Sequence, residues 1–495
     1  MRGPSSSHTA GAHRIGLIVR DLFDAEPAAA RVTFDPRGSM APTWQPLGVD
    51  LAFTAGVMGW PMLDQRYFSS VERARGAGVT VEFEVAVLEE TDHPNGMLIE
   101  ATSENGRQLR VVAEAVGGGG IRIANLDHRP VDLDGKSHVL LVLVDASEEG
   151  AVADLMPNAI RHEHDGSVLL SMSSTDPPDP ASVSGLRGVT GVSGVWTAAP
   201  VFFVRRGGTL FESAEGMVDL ADERVLSLGE IALAYESELL GLPEDEAVDE
   251  MLRRFDIMKE SVAAGLDDQK SDMLLLRPSA ADVLAAESRG AVAVGGIHTR
   301  AAAKALAVMH HCNSRGVICA APTGGSAGTL PGVVASLVEE MNLSRRQTAR
   351  VLFAASAVGL IVARRATFAA EIAGCQVEIG VAGAMASAAV VEAAGGSPRQ
   401  AVDAAAISLQ NTMGSPCDPV AGACEIPCHT RNALAASGAF TCADLVLGGY
   451  ANPIPLDESI DASYEVGKAL PAELRCTARG GCAVTPSGLR MDRLR

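Results

Sequence analysis

The stretch QTARVLFAASAVGLIVARR, residues 347–365, decides how the C-terminal half is read. Its apolar residues recur at helical spacing, and Ala, Gly and Ser fill the positions between them, which predicts a helix packed closely through small side chains. The same character returns in TRAAAKALAVMHH (299–311), LPGVVASLVEEM (330–341), VAGAMASAAVVEAA (381–394) and PRQAVDAAAISLQN (398–411). Upstream, SLGEIALAYESELLG (227–241) and EDEAVDEMLRRFDIMKESVAAGL (244–266) are amphipathic, the first ended by Gly241 and Pro243. Everything from about residue 213 to about 470 therefore reads as helix after helix.

The N-terminal part has a different grammar. One helix signal, AGAHRIGLIVRDLF (10–23), is followed by strand-like runs at 29–35, 79–90, 96–104 and 108–116, with turn signals at HPNG (93–96) and GGGG (117–120). An α+β domain with a mostly antiparallel sheet is expected over residues 1–130. A polar stretch, LDHRPVDLDGKS (126–137), reads as a linker. Beyond it, HVLLVLVDA, EEGAVADLMPNAI, SVLLSMSS and, after a Pro/Gly-rich gap, VWTAAPVFFVRR suggest a small βαββ-type module over 137–206. The expected chain is thus multidomain, with an all-α domain over 213–495.

Its 495 residues are too many for one ordinary core. Against 40 Lys and Arg stand 61 Asp and Glu, a net charge of -21 that makes nucleic acid and anionic membrane surfaces poor partners. The N-terminus has no apolar signal region, and the longest apolar runs, such as residues 351–363, look too short to span a bilayer, so a cytoplasmic protein is expected. All nine cysteines lie between Cys312 and Cys482, a clustering that in a reducing compartment points to metal or redox chemistry. Burial of free thiols in a core is the competing explanation.

Three stretches could carry chemistry. GPSSSHTAG (3–11) sets Ser5, Ser6, Ser7, His8 and Thr9 just before a helix, where hydroxyls and backbone N–H groups suit an anion and an imidazole titrates near neutrality. CAAPTGGSAGTLPG (319–332) is a glycine loop in which Thr323, Gly324, Gly325 and Ser326 could cradle a carboxylate or merely connect two helices; it lacks the Gly-Lys-Ser/Thr of a P-loop. Cys375, Cys417 and Cys428 sit in Gly- or Pro-punctuated turns that can aim sulfurs at one point. Three thiolates on a four-iron cluster would leave one iron open, whereas buried inert thiols would leave no cluster at all.

Taken in order, GPSSSHT, HPN (93–95), APTGGSAG (321–328), GCQVEIG (374–380), CDPVAG (417–422), IPCHTRNA (426–433) and ELRCTARGGCAVTPSG (473–488) resemble the iron–sulfur-dependent L-serine ammonia-lyases over nearly the whole chain. The resemblance implies a β-type domain, an ACT-like module and an α-type domain in one polypeptide. It implies a 4Fe–4S cluster on Cys375, Cys417 and Cys428, with His93 joining the residue 5–9 loop as catalytic groups and residues 323–326 binding substrate. The implied substrate is a small β-hydroxy-α-amino acid, the implied assembly a homodimer, and pyridoxal phosphate is not required.

The sequence departs from the family pattern in three places. In GSMAPTWQPLGVD (38–50), Leu47 stands where the family has a histidine; RRATFAAE (364–371) replaces a stretch of amides and hydroxyls; and the tail offers Cys476 and Cys482, either of which could reach the open iron or be incidental. These departures point to a changed pocket, hence a larger β-hydroxy amino acid or weak turnover, or to an amino-acid or redox sensor that has lost dehydration.

Overall fold

A computed structural model describes residues 1–23, 27–104 and 106–491, so the last four residues of the expected all-α domain lie outside the described residues. The chain divides into two compact units: residues 8–44 with 48–206, and residues 1–7 and 45–47 with 207–495.

The first unit holds both sheets. Strands β1 (Ala29–Phe34), β2 (Thr80–Val85), β3 (Gly96–Thr102), β4 (Gln108–Gly117), β5 (Gly120–Leu126) and β6 (Arg129–Leu133) form one sheet in the order β2-β1-β3-β4-β5-β6. Only the β1–β2 pair is parallel. The GGGG turn joins β4 to β5, with Gly118 and Gly119 at φ 60 and 83°, the left-handed values a two-residue hairpin turn demands. Helices Ala12–Phe23 and Val49–Val57 cover one face of the sheet; Ile15, Val19, Phe34, Phe53, Ile99 and Ile123 share that core.

Two expectations are corrected here. The stretch read as a linker contains β6, and the module after it carries one more helix than the sequence suggested. Strands β7 (His138–Asp145), β8 (Ile160–His164), β9 (Ser167–Ser174) and β10 (Val192–Ala198) form an antiparallel sheet in the order β10-β7-β9-β8. Helix Glu149–Ala153 follows β7, and helix Pro180–Arg187, capped by Asp179 accepting from the Ser182 N–H, fills the Pro/Gly-rich gap. The result is a βαββαβ unit of ferredoxin-like strand order.

The second unit is all helical around Ile379–Ala393, of which every residue from Ile379 to Glu392 is buried. Helices Thr329–Met341, Arg345–Arg365, Pro398–Gln410 and Cys428–Leu447 pack against it. Capping boxes at Ser344/Gln347 and Ser397/Gln400 start two of these helices. Small residues permit close approach: a Cβ at Gly265 would fall 1.7 Å from the Ala307 carbonyl oxygen.

The length argument against a membrane span does not hold. The apolar run at 351–363 lies inside the 21-residue helix Arg345–Arg365, and Cys375–Ala393 spans 19 residues; both are long and apolar enough to cross a bilayer. In this fold their apolar windows are 67% and 94% buried inside the protein.

Candidate functional site

In the helical unit the sulfurs of Cys375 and Cys417 and a Glu378 carboxylate oxygen lie within 4.8 Å of one another. Irregular backbone aims them. Gly374, at φ 72°, turns the chain so that the Cys375 N–H meets the Ser415 carbonyl at 3.0 Å. The Cys417 N–H donates to Leu474 O at 2.8 Å, and its carbonyl accepts the Cys476 N–H at 2.7 Å, which binds the C-terminal segment beside the pocket. Cys428 opens helix Cys428–Leu447. Cys375, Cys417, Cys428 and Cys476 are all buried.

The thiols form two hydrogen-bonded sets, Cys375–Cys417–Cys476 and Cys424–Cys428. The hydrogen bond with Cys417 and then burial push the Cys375 thiol well up. Cys428 is drawn down, first by its bond with Cys424 and also by the Arg431 guanidinium, against the effect of burial. Burial, with the nearby Glu371 carboxylate, raises Glu378 well above the usual carboxylate range, and its hydrogen bond with Thr323 opposes this. Acidic groups crowded in a buried pocket hold their protons unless a cation joins them, and a metal is the group that reverses those shifts. The donor set therefore fits a thiolate-bound metal cluster.

Arg431 is the cation already there. Its Nη1 lies 3.7 Å from Cys375 Sγ, 2.9 Å from Asp418 Oδ1 and 2.7 Å from Pro416 O. Asp418 in turn accepts the Cys482 N–H at 2.7 Å, so Cys482 braces the loop through its backbone while the Cys476 thiol joins the sulfur set.

Beside the thiols lies the glycine loop. Thr323 and Ser326 satisfy each other, with Oγ1 and Oγ 3.0 Å apart and each hydroxyl oxygen accepting the other residue's backbone N–H. Residues 1–7 thread along the same unit: the Gly3 N–H donates to Gly316 O at 3.0 Å, and a Cβ at Gly324 would sit 2.9 Å from Pro4 O and Ser6 N. Ser6 Oγ is buried and without a hydrogen-bond partner among the described residues. A Cβ at Gly325 would meet Cys424 Sγ at 3.4 Å and Glu378 Oε2 at 3.5 Å. The segment Ser6–Gly11 is a π-helical turn leading into Ala12–Phe23, and not the open loop that the sequence suggested.

In the other unit His8, Ser39, Asn95 and His93 form a chain of contacts. His8 Nε2 is 3.2 Å from Ser39 Oγ, Ser39 donates to Asn95 Oδ1, and the Asn95 backbone N–H reaches His93 Nδ1 at 3.1 Å. Burial lowers His8 to about 3, so it is neutral. Burial also lowers His93, against the pull of Glu114. Thr9 is fully buried in the same unit. Sequence reasoning found both histidines but not Ser39 or Asn95 as their partners, although GS and HPN were in plain view.

Residues 364–371 correct the altered-pocket reading in part. Arg364 donates to Phe211 O at 2.9 Å and Tyr235 OH at 2.8 Å, and Arg365 pairs with Asp461 and Asp457. Both arginines brace other helices and do not line the thiol pocket. Phe368 packs on the main helical core, whereas Ala370 packs with the Cys375, Cys417 and Cys476 cluster and the Glu371 carboxylate lies beside Cys476 and acts on Glu378. Leu47 is buried. Cys319 lies in irregular chain after helix Ile297–Asn313.

Fold and site together define a protein with an all-α unit built around a buried thiol–carboxylate pocket suited to a metal cluster, joined to a unit of two sheets. The family described as serine dehydratase alpha chain matches residues 221–483. Three of the proteins similar to this chain show the likeness. A probable L-serine dehydratase alpha chain of Bacillus subtilis is 37% identical over 57% of this chain and 95% of its own length. The L-serine dehydratase alpha chain of Peptoniphilus asaccharolyticus is 32% identical over 57% and 98%. An L-serine dehydratase of Streptomyces coelicolor is 32% identical over 55% and 61%. This chain belongs to the serine dehydratase alpha chain family.

Proposed function

We infer that the protein dehydrates and deaminates L-serine, or a closely similar β-hydroxy-α-amino acid, to a 2-oxoacid and ammonia, using a 4Fe–4S cluster held by Cys375, Cys417 and Cys428. The observation that carries this reading is the set formed by the buried Cys375 and Cys417 thiols and the half-buried Glu378 inside the part of the chain that matches the family. When bound, the cluster would supply an iron acting as Lewis acid toward the substrate hydroxyl, a poor leaving group on its own.

The chain's own groups do the rest. Ser6 Oγ, buried and unpartnered, and the bare backbone of Gly324 and Gly325 are suited to take the substrate carboxylate. Arg431 holds the Cys375 turn and sets its positive charge against the thiolates. In the unit with the two sheets, His8 is neutral, so its imidazole suits a general base. Loss of water gives an aminoacrylate, which tautomerises to an imine and takes up water to release ammonia.

The βαββαβ strand order supports reading residues 137–206 as an ACT-like regulatory module. A homodimer and a cytoplasmic location complete the proposal, with light scattering to test the first and fractionation the second. The central experiment is anaerobic purification followed by an ultraviolet assay of 2-oxoacid release from L-serine. A cluster-loaded protein with no turnover on any β-hydroxy amino acid would leave the sensor reading in its place.

A further inference from the structure

Glu378 stands where the glycine loop meets the thiols. On one side its carboxylate lies within 4.8 Å of the Cys375 and Cys417 sulfurs. On the other it faces Gly325, where a Cβ would meet Oε2 at 3.5 Å and Oε1 at 3.7 Å, so that both oxygens look onto bare backbone. Loop and carboxylate belong to the same helical unit.

The hydroxyls of the loop are spent on this carboxylate. Thr323 donates a hydrogen bond to Glu378, which favours the charged carboxylate. Thr323 Oγ1 has then given its only proton and also accepts the Ser326 N–H at 3.2 Å, so the Ser326 hydroxyl, 3.0 Å away, must donate to it. Ser326 Oγ in turn accepts the Thr323 N–H at 3.3 Å. Both residues are wholly buried, and neither hydroxyl keeps a proton for a ligand. The hydroxyls therefore hold Glu378, and the bare backbone of Gly324 and Gly325 is what the loop has left to offer.

We propose that Glu378 binds the α-ammonium of the amino acid, with Thr323 and Ser326 as the positioning pair that fixes its carboxylate. This rests on the proposed dehydration of a β-hydroxy-α-amino acid. Such a ligand carries a carboxylate and an ammonium on one carbon, so the groups that take them must be neighbours. The Gly324–Gly325 backbone with Ser6 suits the first, and a carboxylate facing the same glycine turn suits the second. The ammonium is also a cation that the ligand itself brings into a pocket crowded with acidic groups. Used on the ammonium, Glu378 stays off the metal, which keeps a coordination position for the substrate hydroxyl. A hydroxy acid without the amino group leaves Glu378 unpaired and is rejected for that reason.

Anaerobic calorimetry on the full-length, cluster-loaded protein tests this with L-alanine and propanoate, which differ only in the amino group and have no hydroxyl to eliminate. The unmodified protein should bind L-alanine about 10- to 100-fold more tightly than propanoate, the range for a hydrogen bond to a charged group. Glu378→Gln should erase most of that difference by weakening L-alanine alone, and should raise KM for L-serine more than it lowers kcat. Thr323→Val, which takes the donor from the carboxylate, should narrow the difference in the same direction by a smaller factor. Iron content and melting temperature report whether each variant is intact, and if Glu378→Gln does not load iron, Thr323→Val decides. Three results would overturn the proposal: no preference for L-alanine in the unmodified protein, an unchanged preference in the deciding variant, or equal weakening of both ligands there. A preference that Glu378→Gln removes, in a protein that turns over no β-hydroxy amino acid, would instead sink the dehydratase reading and leave the ammonium site standing.

Discussion

Asn432 Nδ2 donates to the Gly325 carbonyl at 2.8 Å, tying the helix that begins at Cys428 to the glycine loop. Its Oδ1 accepts from the N–H groups of Gly328 and Thr329, each at 3.2 Å, and Nδ2 also reaches Cys428 O at 2.9 Å. One amide thus joins the proposed cluster ligand Cys428 to the proposed carboxylate site, and all of these bonds are buried. Asn432→Ala should cost about 3 kcal/mol of stability, because several backbone groups lose their partner with no water to replace it. Urea unfolding should show the loss, and KM for serine should rise more than kcat falls. A variant as stable as the parent would mean that the loop holds itself.

Cluster loading separates the cysteines. Cys375→Ala, Cys417→Ala and Cys428→Ala should each abolish the brown colour of the anaerobic protein and its content of about four irons per chain. Cys312 hydrogen-bonds to Pro4 O and Gly324 O, and Cys442 lies on helix Cys428–Leu447, so alanine at either position should leave iron in place. Iron analysis and the visible absorption spectrum decide it; full iron in the first three variants would end the assignment.

Acid should destabilise the protein partly through His8. Burial holds its pKa down at about 3 in the folded chain, whereas in the unfolded chain it returns to about 6.5. Above pH 6.5 neither state is protonated and its contribution is flat. As pH falls from about 6.5 toward 3 the unfolded state takes up a proton that the folded state refuses. Stability then drops by about 1.4 kcal/mol per pH unit from this residue. Urea unfolding of the parent and of His8→Gln at pH 7 and 5.5 checks this. The variant should lose less between the two pH values, and equal losses would show that His8 is not the titrating group.

The sequence announced these elements unevenly, for physical reasons. Strands and helices with strong periodicity were legible, as were cysteines set in Gly- and Pro-punctuated turns. β6 was not: it is five residues long, contains Pro130 and buries Arg129, which a polar linker mimics, and it survives because it is an edge strand. Asn432 and Ser39 were equally hidden. Their partners lie about a hundred residues away in one case and 56 in the other, and no local pattern records them.

The last prediction concerns residues 364–371, where chemistry and geometry give different answers. Two arginines in place of amides and hydroxyls suggest a rebuilt substrate pocket. Yet Arg364 is spent on Phe211 O and Tyr235 OH, and Arg365 on Asp457 and Asp461. Arg364→Ala should therefore lower stability, by about 1–3 kcal/mol for the partners left unsatisfied, and leave the ranking of substrates unchanged. The arginines therefore do not carry a specificity change; Ala370 and Glu371 stay beside the thiols, and Leu47 is the departure with the largest loss of chemistry, since a histidine can donate, accept or take a proton and leucine does none of these. Leu47→His should then raise turnover of L-serine relative to bulkier β-hydroxy amino acids, whereas Arg364→Ala should not. Initial rates for both variants and the parent across such a panel make the comparison. A shifted ranking in Arg364→Ala, or none in Leu47→His, would return the specificity to residues 364–371.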